Sequence, residues 1–481
     1  MNQLNSFKIK PNEKFGYSIE TFQLSALASM SSQNFNNVKV SRNKADLTNQ
    51  RIFGNYNEYA NLNFGNVINK ISLDYCYINN PNCNKCPINI ICNNSSTIKL
   101  KQIKKKTHTK IFNFIDLFCG AGGMSSGLIE SGMTPIMAID NDPSSIKTYT
   151  YNHRLFNNLD IVCKEIKKNE NLDYFFKLKN KIDLIVGGPP CQGFSNANRQ
   201  RLSDDPRNYL YKQFLSILNI SKSKFAILEN VTGMKKASPS IAKEFEEIGY
   251  ITKFFILNSS NFGLPQNRKR LFILAKQKED LFKDELFFKY FEASLEKFKN
   301  NEKNNLINVL NNLPLLKAKN IPNSTDIESI DYGFSCWVEN NEKSKIIFNH
   351  RSKYLNARDI EIYTLLKPGE DSSSKSIEHI NPYNDRKHIF KDKFYKLHPD
   401  KPSKTITAHM YYDTHMYIHP FQARGLSPRE AARVQGFKDD FVFFGYPNEW
   451  YRQIGNAVSP PTAKALGKAL NHAIEKINEK N

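Results

Sequence analysis

The stretch IFNFIDLFCGAGGMSSG, residues 111–127, decides how this chain is read. Residues 111–118 are almost continuously apolar, as a strand buried on both faces of a parallel sheet must be. The run ends in CGAGG, where glycines permit a tight turn and a close approach of backbone to a ligand, and a helix is expected to follow. Short apolar runs of the same kind recur at TPIMAID (134–140), KIDLIVGG (181–188), KFAILEN (224–230) and KRLFILA (269–275). Amphipathic stretches such as NYLYKQFLSILNI (208–220) separate several of them. Strands alternating with helices predict a doubly wound α/β sheet.

Outside that region the texture differs. Residues 1–98 are asparagine-rich and end in a cysteine cluster, and KLKQIKKKTHTK (99–110) reads as a basic linker. Residues 111–276 carry the strand–helix rhythm. From 277 to 423 it gives way to a Lys-, Asn- and Ser-rich segment that reads as an inserted domain. Helical patterning resumes over 424–481, with SPREAARVQGF (427–437) and a last helix near 460–478. The 481 residues carry 68 Lys+Arg against 47 Asp+Glu, a formal charge of +21. That excess predicts a polyanionic partner. No apolar run approaches the roughly 20 residues needed to span a bilayer, and the amino terminus lacks a signal-peptide core. A cytoplasmic protein that does not enter membranes is therefore expected.

Three features carry chemistry. The strand ending at Asp140 lies about 20 residues beyond the glycine turn, the spacing at which an acid meets ribose hydroxyls. With Phe118, the turn suits an adenosine bearing a tail other than phosphate. In GGPPCQGFS (187–195), Cys191 follows a strand and two stiffening prolines, so it sits where α/β folds bind ligands. A lone cysteine is usually a small buried hydrophobe, but at this edge it reads as a nucleophile. Glu229 ends the next strand. Arg268 and Arg270, two residues apart at a strand entrance, are expected to point to one face.

DLFCGAGG, GGPPCQGFS, DPRNYLYKQF (205–214), ENV (229–231), QNRKR (266–270), REAARVQGF (429–437) and QIGNAVSPP (453–461) occur in the order found in DNA cytosine-5 methyltransferases, and the chain resembles that family from 111 to its end. The resemblance implies an S-adenosylmethionine-dependent methyltransferase sheet with an inserted target-recognition domain at 277–423. It assigns Cys191 to attack C6 of cytosine, Glu229 to N3, and a guanidinium of Arg268 or Arg270 to O2. Cofactor contacts carry over to Phe118, Gly120, Ala121, Gly122, Asp140, Asn141, Glu165, Ile166, Pro190, Asn456, Ala457 and Val458. Asn141 departs from the aromatic residue often found there. The base must leave the duplex for C6 to be reached, and SNANRQRLSDDPRN (195–208) is the loop expected to close over double-stranded DNA. A modification enzyme of a restriction system is implied, acting as a monomer, with a cognate endonuclease as possible partner; RNA cytosine methylation is the alternative.

The cluster CYINNPNCNKCPINIIC (76–92) has the spacing C-x6-C-x2-C-x5-C. Four thiolates suit zinc or an iron–sulfur cluster. The full spacing resembles the [4Fe–4S] loop of helix-hairpin-helix DNA glycosylases, and FGNVINKISLDYC resembles the helix before it. That resemblance implies a small, mainly helical domain holding a cluster on Cys76, Cys83, Cys86 and Cys92. Phe35 stands where the glycosylase's catalytic aspartate would be, which argues against excision of thymine from T·G mismatches.

Overall fold

The computed structural model describes residues 112–479 apart from 155, 157, 167–172, 177, 180, 191–208, 280, 301–303, 314, 319–334, 340–342 and 385–392. The cysteine cluster, the basic linker and Cys191 lie outside the described residues.

The catalytic fold is built on a seven-stranded sheet, β1 (Asn113–Leu117), β2 (Thr134–Asp140), β3 (Asp160–Cys163), β4 (Leu184–Gly187), β5 (Phe225–Val231), β6 (Tyr250–Asn258) and β7 (Lys269–Gln277), in the order β3-β2-β1-β4-β5-β7-β6. β1 to β5 are parallel. β6 reaches β7 through a short connection, so the two pair antiparallel, and β7 inserts between β6 and β5 with Val231 opposite Arg270. The sheet is therefore mixed. This topology brings the carboxyl ends of six strands and the amino end of β7 to one edge, where the turns after β1 and β4, Asp140 on β2 and Glu229 on β5 lie with Arg268 and Arg270.

Helix α1 (Gly123–Glu130) starts on the glycine turn, with Gly122 at φ 93°. Helix α2 (Pro143–Asn152) is capped by Asp142, whose carboxylate accepts from the Ser145 amide at 3.1 Å. A short helix α3 (Asp173–Phe176), α4 (Tyr209–Ser221) and α5 (Ser238–Glu247) cover one face of the sheet through Phe175, Phe214, Ile217 and Phe245. The other face is covered by α1, by α6 (Leu281–Lys297) and by the last helix, for which Phe287, Phe291, Ala469 and Leu470 join Phe114 and Leu184 in one core.

Helix α6 thus packs on the sheet, although the composition shift at 277 placed it at the start of the insert. The short α7 (Leu306–Leu310) follows, then the ribbon β8 (Ser335–Glu339) and β9 (Lys343–Ile347), and α8 (Ala357–Leu365). Leu355, Ile362, Tyr363, Ile377, Phe394 and Ile418 form a separate small core for this segment. The chain returns to the catalytic unit through α9 (Pro428–Gln435), α10 (Pro447–Asn456) and α11 (Pro460–Asn478). α11 lies along α1, as the distant cofactor motifs require. The approach is close because Gly127 faces the Pro460 carbonyl and Ala463, and Gly467 faces Ser131, leaving no room for a Cβ. No helix among the described residues is long and apolar enough to cross a membrane.

Candidate active site

The turn after β1 is shaped by backbone conformation. Phe118 (φ 58°), Gly120 (φ 52°) and Gly122 (φ 93°) all occupy the left-handed region. That costs glycine little, and Phe118 about 1–2 kcal/mol. The turn is held at both ends: the Cys119 amide donates to the Ile139 carbonyl at 3.0 Å and the Gly122 amide to the Cys119 carbonyl at 2.9 Å. Gly120 donates its amide to Asp140 Oδ2 at 2.8 Å, while Asp140 Oδ1 accepts from the Asp142 amide at 2.8 Å. Burial raises the Asp140 carboxyl above the usual range. A Cβ added at Gly120 would meet open space, whereas one at Gly122 would strike His153 and Tyr149. The turn is thus backed by protein on one side and open on the other, a cradle that fits an adenosine cofactor with Asp140 at its rim.

Ile166, after β3, is buried, and Glu165 beside it is exposed. Asn141 is exposed too. Ala457 and Val458 come to the same place from the far end of the chain, with Ala457 and the Val458 carbonyl against Gly123. Asn456 is exposed beside them.

Glu229 lies two residues before the end of β5 and is mostly buried. Its Oε1 lies 3.2 Å from Arg270 Nε across the β5–β7 pair. Burial raises the Glu229 pKa, and Arg270 and Arg268 offset only part of that rise. A Cβ at Gly188 would stand 3.1 Å from Glu229 Oε2, so the glycine turn after β4 runs over this carboxyl. Asn230 Nδ2 donates to the Pro189 carbonyl at 3.2 Å and fixes that turn. Pro190, one residue before Cys191, is exposed.

The structure divides the two arginines. Arg270 remains at Glu229. Arg268 is 3% exposed and donates through Nη1 to the Ile406 carbonyl (2.8 Å) and through Nη2 to the Gly455 and Ala457 carbonyls (3.1 Å each). Burial and the neighbouring Arg270 pull its pKa down to about 9. Gln266 does similar work, accepting from the Ile406 amide (2.7 Å) and donating to Gln435 Oε1 (2.6 Å), while Gln435 Nε2 donates to the Ala457 carbonyl (2.6 Å). These glutamines lay inside quoted motifs, but spacing alone gave them no role.

Two further groups were missed. Asp116, 1% exposed within β1, accepts from Ser125 Oγ at 2.5 Å, and that hydroxyl lies 2.8 Å from Tyr149 OH. Arg424 and Glu430 form a buried two-pronged pair, both contacts 2.7 Å, at the start of α9. Among the described residues no group of His, Cys, Asp and Glu could hold a metal ion.

A glycine-turn nucleoside site and an acid–guanidinium pair on one edge of this mixed sheet define an α/β methyltransferase. Residues 112–472 match the family model of C-5 cytosine-specific DNA methylases. The chain belongs to that family and is an enzyme of it, and membership implies S-adenosylmethionine as methyl donor. It is 31% identical over 394 residues to the type II methyltransferase M.DdeI of Desulfomicrobium norvegicum, covering 76% of this chain and 90% of that one. It is 29% identical over 368 residues to type II methyltransferase M1.HphI of Haemophilus parahaemolyticus, covering 74% and 86%. Among solved structures it resembles a prophage-encoded E. coli protein assigned as a DNA modification methyltransferase, with TM-score 0.55, 26% identity, and 76% and 99% of the chains covered. The family match begins at 112, beyond the cysteine cluster.

Proposed function

We propose that the protein methylates C5 of cytosine at a specific sequence in double-stranded DNA, on a base flipped out against the turn after β4. S-adenosylmethionine, when bound, supplies an electrophilic methyl group; Phe118, Gly120, Ala121, Gly122 and Asp140 would hold its nucleoside, with Ile166, Ala457 and Val458 lining the pocket. C5 of cytosine is a poor nucleophile. Addition of the Cys191 thiolate to C6 makes it enamine-like, and Glu229 donates a proton to N3 as that bond forms. C5 would then take the methyl as the donor's sulfonium carbon–sulfur bond breaks, with S-adenosylhomocysteine as the leaving group. Removal of the C5 proton, expulsion of the Cys191 sulfur and return of the N3 proton to Glu229 restore the ring. Burial keeps Glu229 inclined to hold its proton, which suits this role. Arg270 is the guanidinium placed to reach O2, and Arg268 acts as a positioning residue.

The observation that carries this reading is Glu229, paired with Arg270 and set against Gly188, three residues before Cys191. The insert at 277–423 supplies target recognition, and residues 195–208 close over the DNA. The type II relatives support the modification role in a restriction system; a cognate endonuclease as partner and a monomeric enzyme belong to the same proposal. Expression in a host lacking cytosine methylation, followed by sequencing of methylated cytosines, should reveal one modified sequence context. Unmodified genomic DNA, with labelled methyl transferred to tRNA, would overturn the reading.

For residues 76–92, the cysteine spacing supports a [4Fe–4S] cluster on Cys76, Cys83, Cys86 and Cys92. Anaerobically purified protein should be brown with about four irons per chain. Colourless protein containing zinc would refute this assignment.

A further inference from the structure

The segment that carries the ribose acid reaches the insert through Arg452. Asp140 Oδ1 accepts the Asp142 amide at 2.8 Å, and Asp142 caps α2 through Oδ2, which accepts from Ser145 Oγ at 2.6 Å. The other Asp142 oxygen, Oδ1, accepts from Arg452 Nη2 at 3.0 Å. Arg452 stands on α10, four residues before Asn456, with its guanidinium carbon 5.8 Å from the centre of the Tyr411 ring. Glu449, one turn earlier on α10, offers the same guanidinium a second carboxylate at 3.7 Å. Tyr411 ends a single helical turn, Ala408–Tyr411, late in the insert. That turn is seated directly on α10, since a Cβ at Gly455 would lie 2.2 Å from the Ala408 nitrogen. Lys353, from earlier in the insert, donates to the Met410 and Tyr411 carbonyls at 3.1 and 2.7 Å. His409 and Tyr412 are exposed at the tip, their ring centroids 5.6 Å apart. The helices beneath are fixed to each other: Thr148 Oγ1 of α2 donates to Gln453 Oε1 of α10 at 2.7 Å inside the protein. On that rigid frame the partly exposed Arg452 side chain, with two carboxylates in reach, is the part with two arrangements open to it.

We propose that Arg452 is a positioning residue that makes cofactor and DNA bind cooperatively, by holding the Ala408–Tyr411 turn in register with residues 140–142. This rests on the methyltransferase reading above and on target recognition by the insert. A ribose held by Asp140 fixes the backbone of 140–142, because the Asp142 amide shares that carboxylate. Asp142 then stays where it pairs with Arg452, and Arg452 remains against the Tyr411 ring rather than turning to Glu449. DNA that rests on the turn finds it already placed. By linkage, bound DNA tightens the cofactor by the same factor. An ion pair this exposed adds little to stability, so its loss should alter the coupling more than the fold.

The test measures DNA affinity with and without saturating S-adenosylhomocysteine, which has no methyl group to transfer. The probe is a fluorescein-labelled duplex carrying the sequence context methylated in cells, followed by anisotropy. In the wild type the ligand should tighten DNA binding about tenfold, and DNA should tighten the ligand equally. Arg452→Ala and Tyr411→Ala should bring that ratio to within about twofold of one, while Tyr411→Phe keeps the ring and the ratio. Asp142→Asn retains a capping residue but removes the charge opposite Arg452, so it should lower the ratio with the fold intact. Adding it to Arg452→Ala should cause no further loss, as expected of residues acting through one contact. A wild-type ratio of one, or a wild-type ratio retained in Arg452→Ala, would overturn the assignment. So would equal weakening of DNA binding with and without the ligand, which is what a merely structural role produces. A wild-type protein that methylates no cytosine and binds no S-adenosylhomocysteine would instead overturn the methyltransferase reading.

Discussion

Replacing Arg268 or Arg270 with alanine should separate stability from catalysis, although the two residues are neighbours in one motif. Arg268→Ala deprives three carbonyls of charged donors inside the protein. The Ala457 carbonyl keeps its bond from Gln435, so the Ile406 and Gly455 carbonyls are the ones orphaned. At about 1–3 kcal/mol for each of these two buried groups left unsatisfied, the loss should be about 2–6 kcal/mol. Arg270 is partly exposed and contacts the Glu229 carboxyl and the Lys269 carbonyl. Its removal should cost under about 1 kcal/mol of stability, while lowering methyl transfer by about 100-fold or more if it stabilises charge at O2. Without Arg270, the Glu229 pKa should also rise further, moving the alkaline limb of the pH–rate profile upward. Urea unfolding monitored by tryptophan fluorescence, beside labelled-methyl transfer at saturating DNA, reads both effects. The reasoning fails if Arg268→Ala unfolds at the wild-type urea concentration, or if Arg270→Ala is the less stable variant.

Three other outcomes are expected. Cys191→Ser should abolish transfer while leaving DNA affinity within about twofold, since the hydroxyl fills the same space but is a far weaker nucleophile; measurable turnover would refute the mechanism. Gly127→Val should lower stability by several kcal/mol, on the order of other overpacked or strained core sites, because its Cβ would collide with the Pro460 carbonyl; an unchanged melting temperature would show that α1 and α11 do not pack closely. Burial raises the Glu430 carboxyl, but Arg424 outweighs it and holds the pKa well below the usual range. Stability from this group is thus fully present above the unfolded value near 4.3 and lost as pH falls below it. Glu430→Gln, which leaves Arg424 charged and unpaired, should cost about 3–5 kcal/mol at pH 7 and flatten the acid limb of the stability curve in chemical denaturation.

The strands that build the site were legible because they are buried on both faces. β1, β2, β4, β5 and β7 read as apolar runs and were placed within a few residues of their observed limits. β3 and β6 were not picked out. Both lie at sheet edges, and β6 (YITKFFILN) is only half-buried along most of its length, so its pattern mixes lysine, threonine and phenylalanine without a clear period. Helix α9 announced itself through Ser427 and Glu430, which form a capping box with Pro428 at the first turn. Residue function was harder to read. Arg268 and Arg270 look equivalent in QNRKR, and their separation depends on carbonyls 138 and 187 residues further along the chain. Asp116 is in the same position: among the described residues the charged group acting on it is another acid, Asp140, and only the packed structure brings the two together.

The long-range partners of Arg268 and Gln266 explain how a catalytic unit can tolerate a long interruption. Residues 404–407 and 457–458 are irregular backbone, and the Ile406 amide and carbonyl and the Ala457 carbonyl are satisfied by side chains. Glutamine and arginine do so with direction as well as energy. Gln266 accepts from the Ile406 amide, Arg268 donates to the Ile406 carbonyl, and Thr405 Oγ1 donates to the Asn267 carbonyl at 2.6 Å. Three contacts between two consecutive residues and one tripeptide leave little freedom to slide. Arg429 extends the lock by donating to the Phe348 and Phe441 carbonyls at 2.7 and 2.6 Å. An apolar interface of equal area would hold the insert to the sheet but would not fix its register, since dispersion is not directional. The end of the insert is thus indexed to the three residues just before β7, and β7 carries Arg270 beside Glu229. On the proposed reading that the insert recognises the DNA target, loosening Arg268 should weaken the coupling of target recognition to methyl transfer before it unfolds the enzyme.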